Sequence, residues 1–253
     1  EDSLRIGVRN TLLYSVLTSS QKVVFGLLLA TLLSSGLKSQ NFLRALVFFP
    51  NLVSTLAIGL TFNALMHPTR GVFNTLLGKI GIEGPDWLGN ITLALYSVIG
   101  VDVWKGVGVA TVIYLAGLQA ISRDYYEAAE IDGASKKQAF LHVTLPLVRP
   151  SMNSVIILSF IGGMRSFDLI WSMTKGGPGF STDVMASIVY KQYTNGFFGL
   201  STAGNVIMFI MISLLAFPLY RYLINREESE RSARILLENT STRRYENVKK
   251  GAV

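Results

Sequence analysis

Four charged residues stand inside otherwise apolar stretches of this chain, and their spacing is its first chemical signal. Asp102 and Lys105 are three apart with Trp104 between them, and Arg165 and Asp168 are three apart with Trp171 just beyond. On a helix each pair shares a face and can partly neutralise itself. A charge at mid-membrane costs about 2.5–3.5 kcal/mol on insertion scales, so such residues face a cavity or a partner. Two roles fit them. They are ion pairs that fix helix packing, or they line a polar pathway in which aromatic rings and charged groups meet a passing solute. Gln21, Lys22, Tyr96, Tyr114 and Asn205 are lone polar residues of the same kind, for which helix–helix hydrogen bonding is the commoner role.

Other chemistries fall away. The chain has no cysteine, and its two histidines, His67 and His142, are assigned below to opposite sides of a membrane, so neither a thiolate metal site nor a histidine pair is available. Gly71…Gly78-Lys79-Ile80 has the wrong glycine spacing for a phosphate loop, with no Ser or Thr after its lysine. Gly176-Gly177-Pro178-Gly179 has no lysine after it and reads as a tight turn at a helix end. Gly106-Val107-Gly108 reads as helix packing.

The elements that must position these residues are membrane helices. Half of the 253 residues are apolar and 15% are charged, short of the charge that a water-facing surface needs. Mean hydropathy is +0.41. A hydrocarbon core of about 30 Å takes roughly 20 apolar residues as a helix. Five segments qualify: Thr11–Ser35, Phe42–Leu65, Ile91–Leu118, Met152–Trp171 and Leu200–Ile224. They are apolar nearly all round and do not alternate as barrel strands would. The expected fold class is an all-α polytopic helical bundle.

Alternate loops differ in basic charge. Fourteen Lys and Arg residues, including Arg123, Lys136, Lys137, Arg149 and eight from Arg221 to Lys250, fall on one side, against six on the other. The richer side is cytoplasmic. This assignment absorbs the net charge of +7 and removes the case for nucleic acid. It also puts the first residue outside, although Glu1–Asn10 holds no export signal. The expectation is therefore a preceding helix and six spans in the complete protein. Residues 1–226 form the membrane domain, and the polar stretch 227–253 is expected to be a solvated, partly disordered cytoplasmic tail.

One cytoplasmic connection is too long for a plain link. Gln119–Ser151 runs for 33 residues and is patterned. Ser122 can cap a helix over Arg123–Asp132, and Gly133 can close it. Ser135 and Gln138 have the spacing of a capping box for a second short helix. Pro146 and Pro150 can open the next membrane helix. The first helix sets Tyr125, Ala128, Ala129 and Asp132 on one side. Its four acids, Asp124, Glu127, Glu130 and Asp132, carry the wrong sign for an anionic leaflet, so a protein partner is expected.

These residues resemble a known signature. Glu127-Ala128-Ala129, three residues, Gly133, nine residues, then Val143-Thr144-Leu145-Pro146 is similar to the EAA loop of ATP-binding-cassette importer permeases, with Val143 in place of isoleucine. Ser166-Phe167-Asp168, Met173 to Gly179, Ser181-Thr182, Arg9-Asn10-Thr11-Leu12 and Phe48-Phe49-Pro50 resemble the maltose-type sugar permeases within that group. The resemblance implies a coupling helix docked on an ATPase, with Glu127, Ala128, Ala129, Asp132, Gly133, Leu145 and Pro146 as its coupling residues. It further implies a second related permease, two ATPase subunits holding ATP and magnesium, an extracellular solute-binding protein and a sugar as cargo. No cofactor is expected on this chain and no catalysis by it. The possible substrate pathway comprises Asp102, Trp104, Arg165, Asp168 and Trp171. An importer for another solute class, a membrane-embedded enzyme and a secondary transporter are the competing readings. The enzyme lacks convergent acids, histidines or a serine–base pair, and the secondary transporter lacks an internal repeat.

Overall fold

The computed structural model describes the backbone of residues 2–34 and 39–251, with side chains described over 3–34, 39–226, 228 and 229. Lys38 and the basic side chains of the tail beyond Arg226 lie outside the described residues.

The chain folds as α1 (Asp2–Ser34), α2 (Gln40–Leu52), α3 (Thr55–Leu65), α4 (Val72–Lys79), α5 (Ala94–Gln119) and α6 (Arg123–Ile131). It continues through α7 (Lys136–Ala139), one π-helical turn (Phe140–Thr144), α8 (Leu145–Leu147), α9 (Arg149–Met164), α10 (Asp168–Thr174), α11 (Met185–Thr194) and α12 (Phe198–Gly251). The described residues hold no strand.

Three of these helices, α1, α5 and α12, can each cross a membrane alone. Two further crossings are bent pairs: α2 with α3 at 95°, and Lys136–Leu147 with Arg149–Met164 at 63°. The expected continuous helix over Phe42–Leu65 is thus broken. Val53 and Ser54 are extended, with ψ of 141° and 132°, just after Pro50 has removed one donor from the helical ladder. The expected span Met152–Trp171 stops at Met164, and α10 starts afresh at Asp168. The first helix starts nine residues earlier than its apolar run: Gly7 and Asn10 are buried against the start of α11, while Arg5 and Arg9 remain exposed. The tail continues α12 as helix to Gly251 where irregular chain was expected. No glycine or proline interrupts it between Pro218 and Gly251.

Packing divides along the membrane normal. Tyr14, Val98, Ile99, Leu169, Ile170 and Val184 belong to one buried cluster, joining α1, α5, α10 and the start of α11. Ala30, Leu33, Tyr114, Leu115, Val148 and Val155 belong to a second, joining the far ends of α1 and α5 to α9. α12 is peripheral and little buried, and Phe209, Leu214 and Phe217 stand exposed on it.

Candidate coupling loop and transmembrane polar site

The loop between α5 and α9 folds largely by local rules. Ser122 caps α6 by accepting from the Asp124 N–H, as its spacing predicts. At the other end Gly133 takes φ +74°, and its N–H donates to Glu130 O at 3.0 Å. Ala134 N–H donates to Ala129 O at 2.9 Å, which completes a Schellman closure. The capping box of Ser135 and Gln138 forms.

Pro146 behaves otherwise than expected. It lies within a continuous helical run, Lys136–Leu147, and does not open the membrane helix; Pro150, second residue of α9, does that. Proline offers no N–H and its ring presses on the preceding turn. The helix responds with the π turn over Phe140–Thr144, in which the Leu145 N–H donates to Phe140 O.

The face presented by α6 is the expected one at Tyr125, Ala128 and Asp132, all exposed, and differs from it at Ala129. Tyr126 and Ala129 turn inward, half-buried, and the Tyr126 hydroxyl bonds Thr144 Oγ1 at 3.0 Å. Glu127, Ala128, Ile131 and Asp132 are exposed, and Ile131 is 87% exposed. Ala129 therefore packs on the protein's own body, while Glu127 and Ala128 stand free of it. Gly133 is exposed, and Leu145 and Pro146 are half-buried beneath the loop.

In the membrane, Asp102 pairs with Lys22 of α1 at 2.7 Å and not with Lys105. Gly106 is the reason: one turn along α5 from Asp102, a Cβ there would come within 2.6 Å of the Lys22 stem. Its absence opens the route by which Lys22 reaches the carboxylate. Lys105 has no ion-pair partner among the described residues. Trp104 is half-exposed, its ring 5.2 Å from that of Phe62.

Arg165 and Asp168 do not pair either. The helix breaks between them, Arg165 ending α9 and Asp168 starting α10, so the three-residue spacing no longer defines one face. Both are exposed. Trp171 stacks on Phe167 at 5.7 Å and meets Tyr190 edge-on at 4.8 Å. What joins the two groups is Tyr14. It is fully buried, and its hydroxyl faces Asp102 and Ser166 without closing a hydrogen bond to either.

A third constellation escaped the sequence reading. Asp183, 1% exposed at its side chain, pairs with Lys191 at 2.7 Å and accepts from Ser187 Oγ at 2.8 Å. Asn10 on α1 donates to Ser181 O and Asp183 O, and Thr11 Oγ1 accepts from the Met185 N–H. The glycine turn wraps this pair, with Lys175 left-handed at the end of α10. Gly176 has φ +87°, and a Cβ on it would fall 1.9 Å from Asp183 Oδ1. The only local signal was the stripe Asp183, Ser187, Lys191 at four-residue steps, which spacing alone leaves indistinguishable from a solvated helix face.

A family profile described as the inner membrane component of binding-protein-dependent transport systems matches residues 22–228. The chain belongs to this family. The permease is 36% identical over 202 residues to the trehalose/maltose transport system permease protein MalF of Thermococcus litoralis, covering 80% of this chain and 68% of that one. It is 34% identical over 196 residues to the multiple sugar-binding transport system permease protein MsmF of Streptococcus mutans, covering 77% and 67%. Its fold matches a crystal structure of a bacterial ABC transporter involved in the import of the acidic polysaccharide alginate. The TM-score is 0.82 at 20% identity, over 89% of this chain and 80% of that chain. The permease is thus an inner-membrane subunit of an ABC transporter that works with a solute-binding protein.

Proposed function

We propose that this permease carries a sugar or oligosaccharide inward, taking it from an extracellular binding protein, and that α6 is the coupling helix on which an ATPase subunit docks. The exposed acidic face of α6 carries the reading: a helix capped at both ends, anchored inward by Tyr126, with Glu127 and Ile131 directed away from the protein. A charged rim around an apolar anchor suits a separate protein with a basic-edged cleft. The sugar assignment is supported by the sugar systems named for its relatives. It is also supported by the side chains along the bundle: the rings of Trp104 and Trp171, and the polar groups of Asp102, Arg165 and Asp168.

The loop and tail face the cytoplasm, by the excess of basic residues there. ATP and magnesium are held by two ATPase subunits, and a second, related permease completes the pathway. Closing the ATPase pair draws two coupling helices together. Because α6 is joined through Lys136–Leu147 to α9 and directly to α5, the displacement reaches the membrane bundle. This chain performs no hydrolysis of its own.

The test is Glu127→Lys in the assembled transporter. ATPase co-purification is expected to fall at least tenfold, about 1.4 kcal/mol of docking energy, and transport with it. Full assembly and transport by that variant would remove α6 from the coupling path. ATPase stimulation by candidate sugars with the binding protein tests the cargo separately.

A further inference from the structure

We infer that the open cleft between the cytoplasmic ends of α1 and α5 and the loop helices α6 and α7 binds the phosphate headgroup of an anionic phospholipid. The cleft measures about 700 Å³, within the range of small-ligand sites. Leu118, Ile121 and Phe140 contribute apolar wall, and Arg123 and Lys136 bring two cations to it from successive loop helices. Neither cation has a carboxylate partner among the described residues. The acids of α6, Asp124, Glu127, Glu130 and Asp132, are all absent from the lining. The cleft therefore concentrates positive charge beside an otherwise acidic helix.

An Arg and a Lys with no carboxylate partner among the described residues, above an apolar wall where two membrane helices end, match a phosphodiester with glycerol and acyl groups beneath it. Basic pockets between membrane helices on the cytoplasmic side take anionic headgroups in this way. A bare inorganic anion would gain the cations and nothing from Leu118, Ile121 and Phe140, which favours the lipid. The location also gives the site a consequence. Tyr126 and Thr144, whose mutual bond tethers α6, both line it, as do both ends of the π turn. A headgroup there sits against the fastening of the coupling helix. The cytoplasmic placement rests on the topology proposed above.

The test uses the purified chain in nanodiscs of phosphatidylcholine, with and without about one-fifth phosphatidylglycerol. Melting temperature is followed, and co-extracted lipid is counted by native mass spectrometry. The unmodified chain is expected to retain phosphatidylglycerol and to melt higher in its presence. Arg123→Gln with Lys136→Gln is expected to reduce retention at least about fivefold and to abolish the melting shift. Its melting in phosphatidylcholine alone should match the parent, which shows that it folds. Lys137→Gln, on the same turn but outside the cleft, should change neither readout. Equal retention by parent and double variant overturns the site. Millimolar inorganic phosphate reproducing the melting shift in phosphatidylcholine overturns the lipid in favour of a soluble phosphate. Because no ATPase or sugar enters the measurement, its failure and that of the transport reading are separable.

Discussion

The two ends of the bundle are held by different means. At the end where α10, α11 and the start of α1 meet, distant segments lock together, Asn10 reaching across 173 residues to Asp183, and midway along α1 Lys22 reaches across 80 to Asp102. At the loop end, α6 and α7 are stabilised by caps whose partners lie within a few residues, with Tyr126–Thr144 reaching across 18. The first end is built to keep its own shape. The second is built to keep the shape of one helix while leaving its outward face free of the protein's own body, as the docking proposed for α6 requires.

That contrast can be broken by substitution. Asp183→Ala should cost the most, about 3 kcal/mol, since it leaves the partly buried Lys191 without its carboxylate and takes an acceptor from the buried Ser187; the melting temperature in detergent reads it. Lys22→Met should cost about 2 kcal/mol by leaving Asp102 alone, and adding Asp102→Leu should recover most of the loss. A double variant as unstable as the single one would show that Lys22 acts through packing instead. Gly176→Ala should lose about 1.5 kcal/mol through its left-handed backbone and the collision with Asp183. Ser122→Ala should leave global melting unchanged and speed hydrogen exchange over 123–131 about fivefold, the value of one cap, about 1 kcal/mol. If Ser122→Ala lowered global melting as much as Asp183→Ala, the proposed division between the two ends would fail.

What could be read in advance followed the same division. The caps at Ser122 and Ser135 and the stop at Gly133 were legible because donor and acceptor lie within one turn. The apolar spans were legible because lipid imposes their composition. The partner of Asp102 was not. Lys105 is the near candidate by spacing, and only the packing of α1 on α5, with Gly106 leaving room, selects Lys22. The break at Val53-Ser54 was masked by an apolar run on both sides, although Pro50 stood beside it. The inward face of α6 could not be chosen from its own sequence either, because Tyr126 is defined by Thr144 on the far side of the closing glycine.

The length of α1 has a final consequence. Thirty-three residues of unbroken helix make a rod of about 50 Å in a slab of about 30 Å. Its near end is gripped by Ser181–Met185, and its far end is wedged among Leu115, Val148 and Val155. A push delivered at the Ser34 end therefore arrives at the Asp2 end as the same push, with no hinge on the way to soften it.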